Sequence, residues 1–175
     1  MKRLILASAL ALAPVLGLAA PALGERPPVV VFEGEDGAKV DGNPWSTEEL
    51  KGKVHVMFYV DPDERTLNDH VAEALKAEKF DRQHYGSVAV INMAATWLPN
   101  RLLESSLADK QKEFPDTLYV KDFKKLLVKR WGVADHTSNV LVFDPDGRLV
   151  FYRSDKLSDA DVQALISVIK ANMPH

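Results

Sequence analysis

The chain has 175 residues, with 25 acidic against 22 basic side chains and no cysteine. This mildly acidic balance excludes nucleic acid and anionic membrane surfaces as the main partner, because both reward clustered Lys and Arg. Thiol-disulfide exchange is excluded outright, since a thiolate is its attacking species.

Lys2 and Arg3 precede an apolar run from Leu4 to Leu18, and the small residues of Ala19-Ala20-Pro21-Ala22-Leu23-Gly24 follow. That is the three-part layout of a secretory signal peptide. The run falls short of the roughly 20 apolar residues a membrane span needs, and Pro14 interrupts it. We therefore expect residues 1–24 to be removed, with cleavage after Gly24 favoured and Ala19 or Ala22 as alternatives. The expected product is periplasmic and has no stable membrane insertion; without a cysteine it cannot carry a lipoprotein anchor. Glu25 to Pro28 reads as a short leader. Residues 25–175 contain no repeat or linker and read as a single domain, large enough to bury about two-thirds of its unfolded surface without disulfides.

The mature chain opens with a strand or hairpin, Val29 to Phe32 followed by the turn cluster Gly34-Glu35-Asp36-Gly37. Asn43-Pro44-Trp45-Ser46 leads into at most one helical turn over Thr47 to Leu50. Val54 to Val60 is nearly all apolar, as a central strand buried on both faces should be, with His55 interrupting it near its start. Leu67, Val71, Leu75 and Phe80 fall close to helical spacing, and Asn68 or Asp69 can serve the first turn. Ser87 to Asn92 predicts a second buried strand, Leu102 to Phe114 a helix after Pro99, and Thr117 to Val120 a brief extended piece. Phe123 to Trp131 predicts a helix capped by Asp122 and ended by Gly132. Lys121, Lys124, Lys125, Lys129 and Arg130 read as its solvated face. Asp144-Pro145-Asp146-Gly147 has the chemistry of a tight hairpin between Val140–Phe143 and Leu149–Tyr152. A final helix starts at Ser158, with Asp161 as its box-like partner.

This order, β-α-β-α-β-β-α after an N-terminal strand or hairpin, predicts an α/β fold of thioredoxin-like topology: a central mixed sheet flanked by helices. Asp36-Gly37-Ala38-Lys39-Val40, Leu50 to Val54, Phe114-Pro115 with Asp122, Trp131-Gly132-Val133 and Val142 to Gly147 resemble exported thioredoxin-like and peroxiredoxin-like proteins. Ser105-Ser106-Leu107, Lys110 to Pro115, Ser138-Asn139-Val140 and Asp144 to Arg148 resemble the YtfJ-type family of exported bacterial proteins. The resemblance implies a thioredoxin-like fold without an established activity. In this register the two redox cysteines of the thioredoxin-like families fall near Glu64 and Leu67, and the proline facing them falls near Ser138. A competing register places the redox motif at Ala95 to Arg101, with Leu98 and Arg101 in the thiol positions. The first is preferred because it uses the Leu50 to Val54 lead-in and leaves Ser87 to Asn92 as a parallel strand.

Ligands of open α/β sheets collect outside the carboxyl ends of the parallel strands. That edge gathers Asp61 to Thr66, Asn92 to Asn100 and His136 to Asn139, so the candidate ligand-binding residues are Asp61, Asp63, Glu64, Arg65, Thr66, Trp97, His136, Ser138 and Asn139. Asp61, Asp63 and Glu64 have the oxygens for a hard cation, with His136 or His70, but acids also stabilise the start of a helix. Arg65 and Thr66 suit an anion or a partner's carboxylate, or an ion pair with Glu64 or Asp69. Val60 to Thr66 resembles the Asp-x-Asp of haloacid-dehalogenase-type phosphatases with its threonine one place late. Asp144 and Asp146 cannot complete that site from the far end of the sheet. Trp97, with Trp45 or Tyr59, suits an apolar docking surface or a place in the core. No nucleotide or serine-hydrolase motif is present, and the five histidines show no ligand spacing. The sequence predicts a non-redox binding or interaction module for a periplasmic protein or small ligand, with no cofactor. The alternative is a carboxylate-dependent, metal-assisted hydrolase using Asp61 and Asp63.

Overall fold

A computed structural model describes residues 21–174, so most of the expected signal peptide lies outside the described residues. Within them the order is β1 (Val31–Phe32), β2 (Gly37–Lys39), β3 (Trp45–Ser46), β4 (Val54–Val60), α1 (Asp69–Ala77), β5 (Tyr85–Asn92), α2 (Asn100–Glu113), β6 (Thr117–Asp122), α3 (Leu126–Trp131), β7 (Ser138–Phe143), β8 (Leu149–Ser154) and α4 (Asp159–Asn172). Short 3-10 turns at Thr47–Leu50 and Pro62–Glu64 flank β4. Six strands form one mixed sheet in the order β2-β6-β5-β4-β7-β8, and β1 pairs with β3 apart from it. Strands β4, β5 and β6 run parallel, while β7 and β8 are antiparallel to their neighbours. No helix of the described residues is long and apolar enough to cross a membrane.

Alternation along the strands makes two cores. Val54 and Val56 of β4 and Val140 and Val142 of β7 face α1 and α4, where Val71, Leu75, Leu165 and Ile169 close over them. Met57 and Tyr59 of β4, Val88 and Val90 of β5, Val120 of β6 and Leu141 and Phe143 of β7 face the other way, under Leu127 and Trp131 of α3 and under Phe32 and Trp45 of the N-terminal extension. The parallel register aligns His55 with Gly86, Met57 with Val88 and Tyr59 with Val90, so this second face runs polar, apolar, polar from the amino to the carboxyl end. Helix α4 starts as predicted, with a Ser158–Asp161 capping box, and the Thr47 turn has its own box from Ser46 and Glu49. Gly132 ends α3 in the left-handed region at φ 68°.

Three local expectations are corrected. Helix α1 begins at Asp69 and its cap residue Asn68 makes no side-chain capping bond, because the amide reaches across to Ser138 Oγ, Asp155 O and Leu157 N instead. The basic run is not one helix face: Lys121 lies in β6, and Lys124 and Lys125 precede α3, so only Lys129 and Arg130 ride on the helix. Asp122 does receive the first amides of α3, from Leu126 (2.9 Å) and Leu127 (3.3 Å), but from the end of β6. Lys125 occupies the cap position in left-handed conformation, φ 55°. The Asp144–Gly147 hairpin meets the start of β4, where Gly52 N donates to Pro145 O at 2.8 Å, so Asp144 and Asp146 are at the opposite end of the strand from Asp61.

Candidate functional site

Four strands deliver a row of polar side chains to the carboxyl end of the second face: Asn139 from β7, Tyr59 from β4 with Asp61 just past its end, Asn92 from β5 and Asp122 from β6. All are buried. Burial of a polar group is tolerated where its hydrogen bonds are made inside the protein, and most of this row is closed in that way. Tyr59 OH donates to Asp122 Oδ2 at 3.2 Å, and the same carboxylate accepts the amides of Lys124, Leu126 and Leu127. Burial pushes the Asp122 carboxyl above the usual carboxylate range, against those hydrogen bonds. Burial and the neighbouring Asp122 charge likewise raise the Tyr59 phenol, which stays a neutral donor.

Asn139 is fully buried, and its amide is used on both sides. Nδ2 donates to Ala134 O (2.8 Å) and Tyr59 O (3.3 Å), and Oδ1 accepts from Ala134 N and Tyr152 OH. Ser138 Oγ accepts from Asn68 Nδ2 at 3.1 Å. Ser138 and Asn139, both named as candidate ligand residues, therefore hold the scaffold: no polar atom of the Asn139 amide is left for a ligand. Asp61 is also turned inward, its Oδ1 taking the Asp63 amide at 2.9 Å as the cap of the Pro62–Glu64 turn.

The solvent side of this edge is built from other residues. Asp135 accepts from Asn92 Nδ2 (2.9 Å) and Lys125 Nζ (2.7 Å). Partial burial works to raise its carboxyl, but the Lys125 hydrogen bond, with the His136 amide and imidazole, prevails and holds it below the ordinary value. His136 stands between the acids, with Nδ1 3.4 Å from Asp61 Oδ2 and Nε2 3.6 Å from Asp135 Oδ2. Lys125 and His136, both at φ 55°, are two non-glycine residues in the left-handed region whose side chains converge on one carboxylate. Asn92 Oδ1 is buried without a hydrogen-bond partner among the described residues.

The exposed candidates surround this floor. Glu64, Arg65 and Thr66 lie on the surface after the Pro62 turn. Arg65 donates to Pro62 O at 3.4 Å, in place of the expected ion pair with Glu64 or Asp69. Asp63 is tied to the facing loop by Thr96 Oγ1 at 3.0 Å, and Thr96 Oγ1 also accepts the Leu98 amide. This holds the loop that carries Trp97, which is 86 % exposed and has no place in the core. Asp61 and Asp63 thus diverge, one inward and one to Thr96, while His70 bonds Leu157 O away from both. Among the described residues no three His, Asp or Glu side chains converge to hold a metal. Asp122, Asp135, Lys125 and Asn92 were not among the candidates. The strand alternation that places Asn92 beside Asp122 was their available signal; Asp135 and Lys125 meet only through two left-handed turns.

A family model described as "Bacterial protein of unknown function (YtfJ_HI0045)" matches residues 29–172. An uncharacterised protein of Haemophilus influenzae is 30 % identical over 129 residues, covering 72 % of this chain and 70 % of that protein. The uncharacterised protein YtfJ of Escherichia coli is 25 % identical over 130 residues, with the same shares of each chain. Among solved structures, a thiol peroxidase from Chromobacterium violaceum superposes with TM-score 0.63 at 13 % identity, over 87 % of this chain and 88 % of that one. A thiol:disulfide interchange protein DsbE described for Chlorobium tepidum gives TM-score 0.60 at 16 % identity, over 87 % and 99 %. At such identities the likeness shows the fold alone, which is thioredoxin-like. The Ala95–Arg101 string lies in the loop after β5 and at the start of α2.

Proposed function

The chain belongs to the YtfJ_HI0045 family of bacterial proteins of unknown function, and on that premise we propose that it is an exported, non-redox interaction module that docks a periplasmic protein on the carboxyl edge of its sheet. The observation that carries this reading is Trp97. A tryptophan 86 % exposed, on a loop pinned by Thr96 to Asp63, is a preorganised aromatic anchor of the kind that dominates binding hot spots. Glu64, Arg65 and Thr66, exposed after Asp63, and His136 beside Asp61 add polar groups at the same sheet edge. The floor beneath is closed by the Tyr59–Asp122 and Asn139 hydrogen bonds, which suits a partner lying on the surface better than a small molecule entering it. Hydrolysis by Asp61 and Asp63 is not favoured, because the two carboxylates are directed apart.

Export follows from the Lys2-Arg3 and Leu4–Leu18 pattern. With cleavage after Gly24 the mature chain starts at Glu25, whose carbonyl accepts the Leu149 amide at 2.8 Å and so ties the new terminus to β8. The test places a photo-crosslinking benzoylphenylalanine at position 97 in the full chain expressed with its leader, and at the exposed Asp159 as control. The expected result is a discrete adduct of one mass from position 97 in the periplasmic fraction and none from 159. Absence of an adduct from 97, or equal labelling from both positions, overturns the docking surface; protein retained in the cytoplasm overturns export.

A further inference from the structure

The other end of the same sheet face is open. His55 is the first residue of β4 on that face and pairs with Gly86 of β5. A Cβ at Gly86 would come within 2.6 Å of His55 Nε2, so the glycine is what lets the imidazole lie across the neighbouring strand. The ring is oriented by Nδ1, which donates to Leu50 O at 2.9 Å and to Lys53 O at 3.1 Å. Burial lowers the His55 pKa, so the ring is neutral, and with Nδ1 carrying the proton Nε2 is an acceptor. It has no hydrogen-bond partner among the described residues. Trp45 closes the same space from β3; it is 1 % exposed, and its Nε1–H is a buried donor without a partner among the described residues.

His55, Gly86 and Trp45 line a cavity of about 290 Å³ that opens between the Thr47 turn and the end of α2. Its lining carries two cations, Lys53 and Arg82, and two carboxylates, Glu49 and Asp116. Lys53 Nζ donates to Arg82 O at 3.2 Å, and the Arg82 guanidinium donates to Asp116 O and lies over the Tyr85 ring. The lining offers both signs of charge: Glu49 is already paired with Lys39 at 3.1 Å, which leaves Asp116 as the carboxylate to meet a ligand's cation, and Lys53 and Arg82 to meet its anion. A ligand with one charge of each sign matches the rim, and one with a donor and an acceptor in the same planar group matches the unpartnered pair of His55 Nε2 and Trp45 Nε1. The volume lies at the lower end of small-molecule sites.

We propose that this cleft binds a short peptide with free ends, a di- or tripeptide, whose amide faces His55 and Trp45 and whose termini pair with the charged rim. The site is separate from the carboxyl edge and independent of the partner docked there.

The three tryptophans of the chain give three indole signals in a ¹⁵N-labelled protein, and only that of Trp45 reports this cleft; Trp131 Nε1 is engaged by Pro28 O at 2.7 Å. Titration with dialanine is expected to shift the Trp45 signal saturably and to leave those of Trp97 and Trp131 in place. N-acetyl-dialanine amide, which lacks both charges, binds at least about tenfold more weakly, and Lys53→Gln and Asp116→Asn each raise Kd for dialanine roughly tenfold. Both rim variants avoid the buried core, so they keep the test available where His55→Phe fails to fold. No shift of the Trp45 signal up to about 10 mM dialanine overturns the site. Equal binding of the blocked peptide, or unchanged affinity in both rim variants, overturns the ligand class.

Discussion

At the carboxyl end of the face that carries Met57 and Val90, Tyr59, Asp122 and Asn139 close nearly all their polar groups on one another and on backbone amides. At the amino end, one apolar layer away, the buried Trp45 Nε1 has no partner among the described residues and lines a cavity with His55, whereas the carboxyl end has one such atom, Asn92 Oδ1. The first lies outside the carboxyl ends of the parallel strands, where ligands of open α/β sheets collect; the second lies at their amino ends. At the carboxyl end the buried polar row is satisfied almost wholly from inside the protein. In this chain that satisfaction turns the edge into a rigid platform. Space for a small molecule remains where the strands begin.

Asp122→Ala tests whether the carboxyl end is closed. If the carboxyl end is closed, this substitution strands the Tyr59 hydroxyl and the Leu126 and Leu127 amides in or beside the core, and the Lys124 amide nearer the surface. Unsatisfied buried groups cost about 1–3 kcal/mol each, partly relieved by relaxation, so a loss of about 3–4 kcal/mol is expected, or roughly 6–16 °C in Tm for a domain of this size. Calorimetry on purified protein checks it. A loss below about 1 kcal/mol would mean that the row is open to water and the platform does not exist.

Gly86→Ala probes the other end. The new Cβ cannot share space with the His55 ring, and overpacking of this kind costs about 1–3 kcal/mol. Because the clash is with a single side chain, the double variant His55→Ala/Gly86→Ala should be less destabilised than the sum of the two single variants, with a coupling of about 1–2 kcal/mol by urea denaturation. Additive losses would show that the imidazole does not lie across β5, and the amino-end cleft would lose its floor.

The legibility of the two ends from sequence also differs. The scaffold was readable because its signals are local: the apolar run of β4, the Asp144–Gly147 turn, the Ser158–Asp161 box and Gly132 each act within a few residues. The carboxyl edge is legible as a place, since strand ends can be aligned once β4 and β5 are parallel, yet two of its candidates, Ser138 and Asn139, are spent inside the scaffold. Ser138 and Asn139 look available in a polar string, and only the third dimension shows Asn68, Ala134 and Tyr152 saturating them. Asp122 was read as a helix cap and does serve the first amides of α3, but the left-handed Lys125 that displaces it from the cap position leaves no periodic trace. The amino-end cleft was illegible because it depends on a pairing between residues 55 and 86 and on Trp45 from a strand of two residues. A histidine in an apolar strand and a glycine at the matching depth of the next one were its two marks.

The smallest expected effect separates the layers within the carboxyl end itself. Asp122 and Asp135 are shifted in opposite directions, and their linkage to folding has opposite sign. Burial raises the folded pKa of Asp122 above its unfolded value, so its ionisation disfavours the folded state: that contribution is fully favourable below the unfolded value and is lost as pH rises through the folded one. Asp135 is the reverse. Its burial is outweighed by Lys125, the folded pKa is lowered, and the stabilisation present above about pH 4 is lost as pH falls through the folded value. In a comparison of Tm against pH, Asp135→Asn should therefore lose part of the wild-type decline on the acid side while changing little above neutrality beyond a constant offset. Asp122→Asn should show the opposite, with its pH-dependent gain relative to wild type growing as pH rises above the ordinary carboxylate range. If both variants flatten the same limb of the curve, the two carboxylates titrate as one exposed group, and the division between a sealed floor and a solvated rim at this edge is wrong.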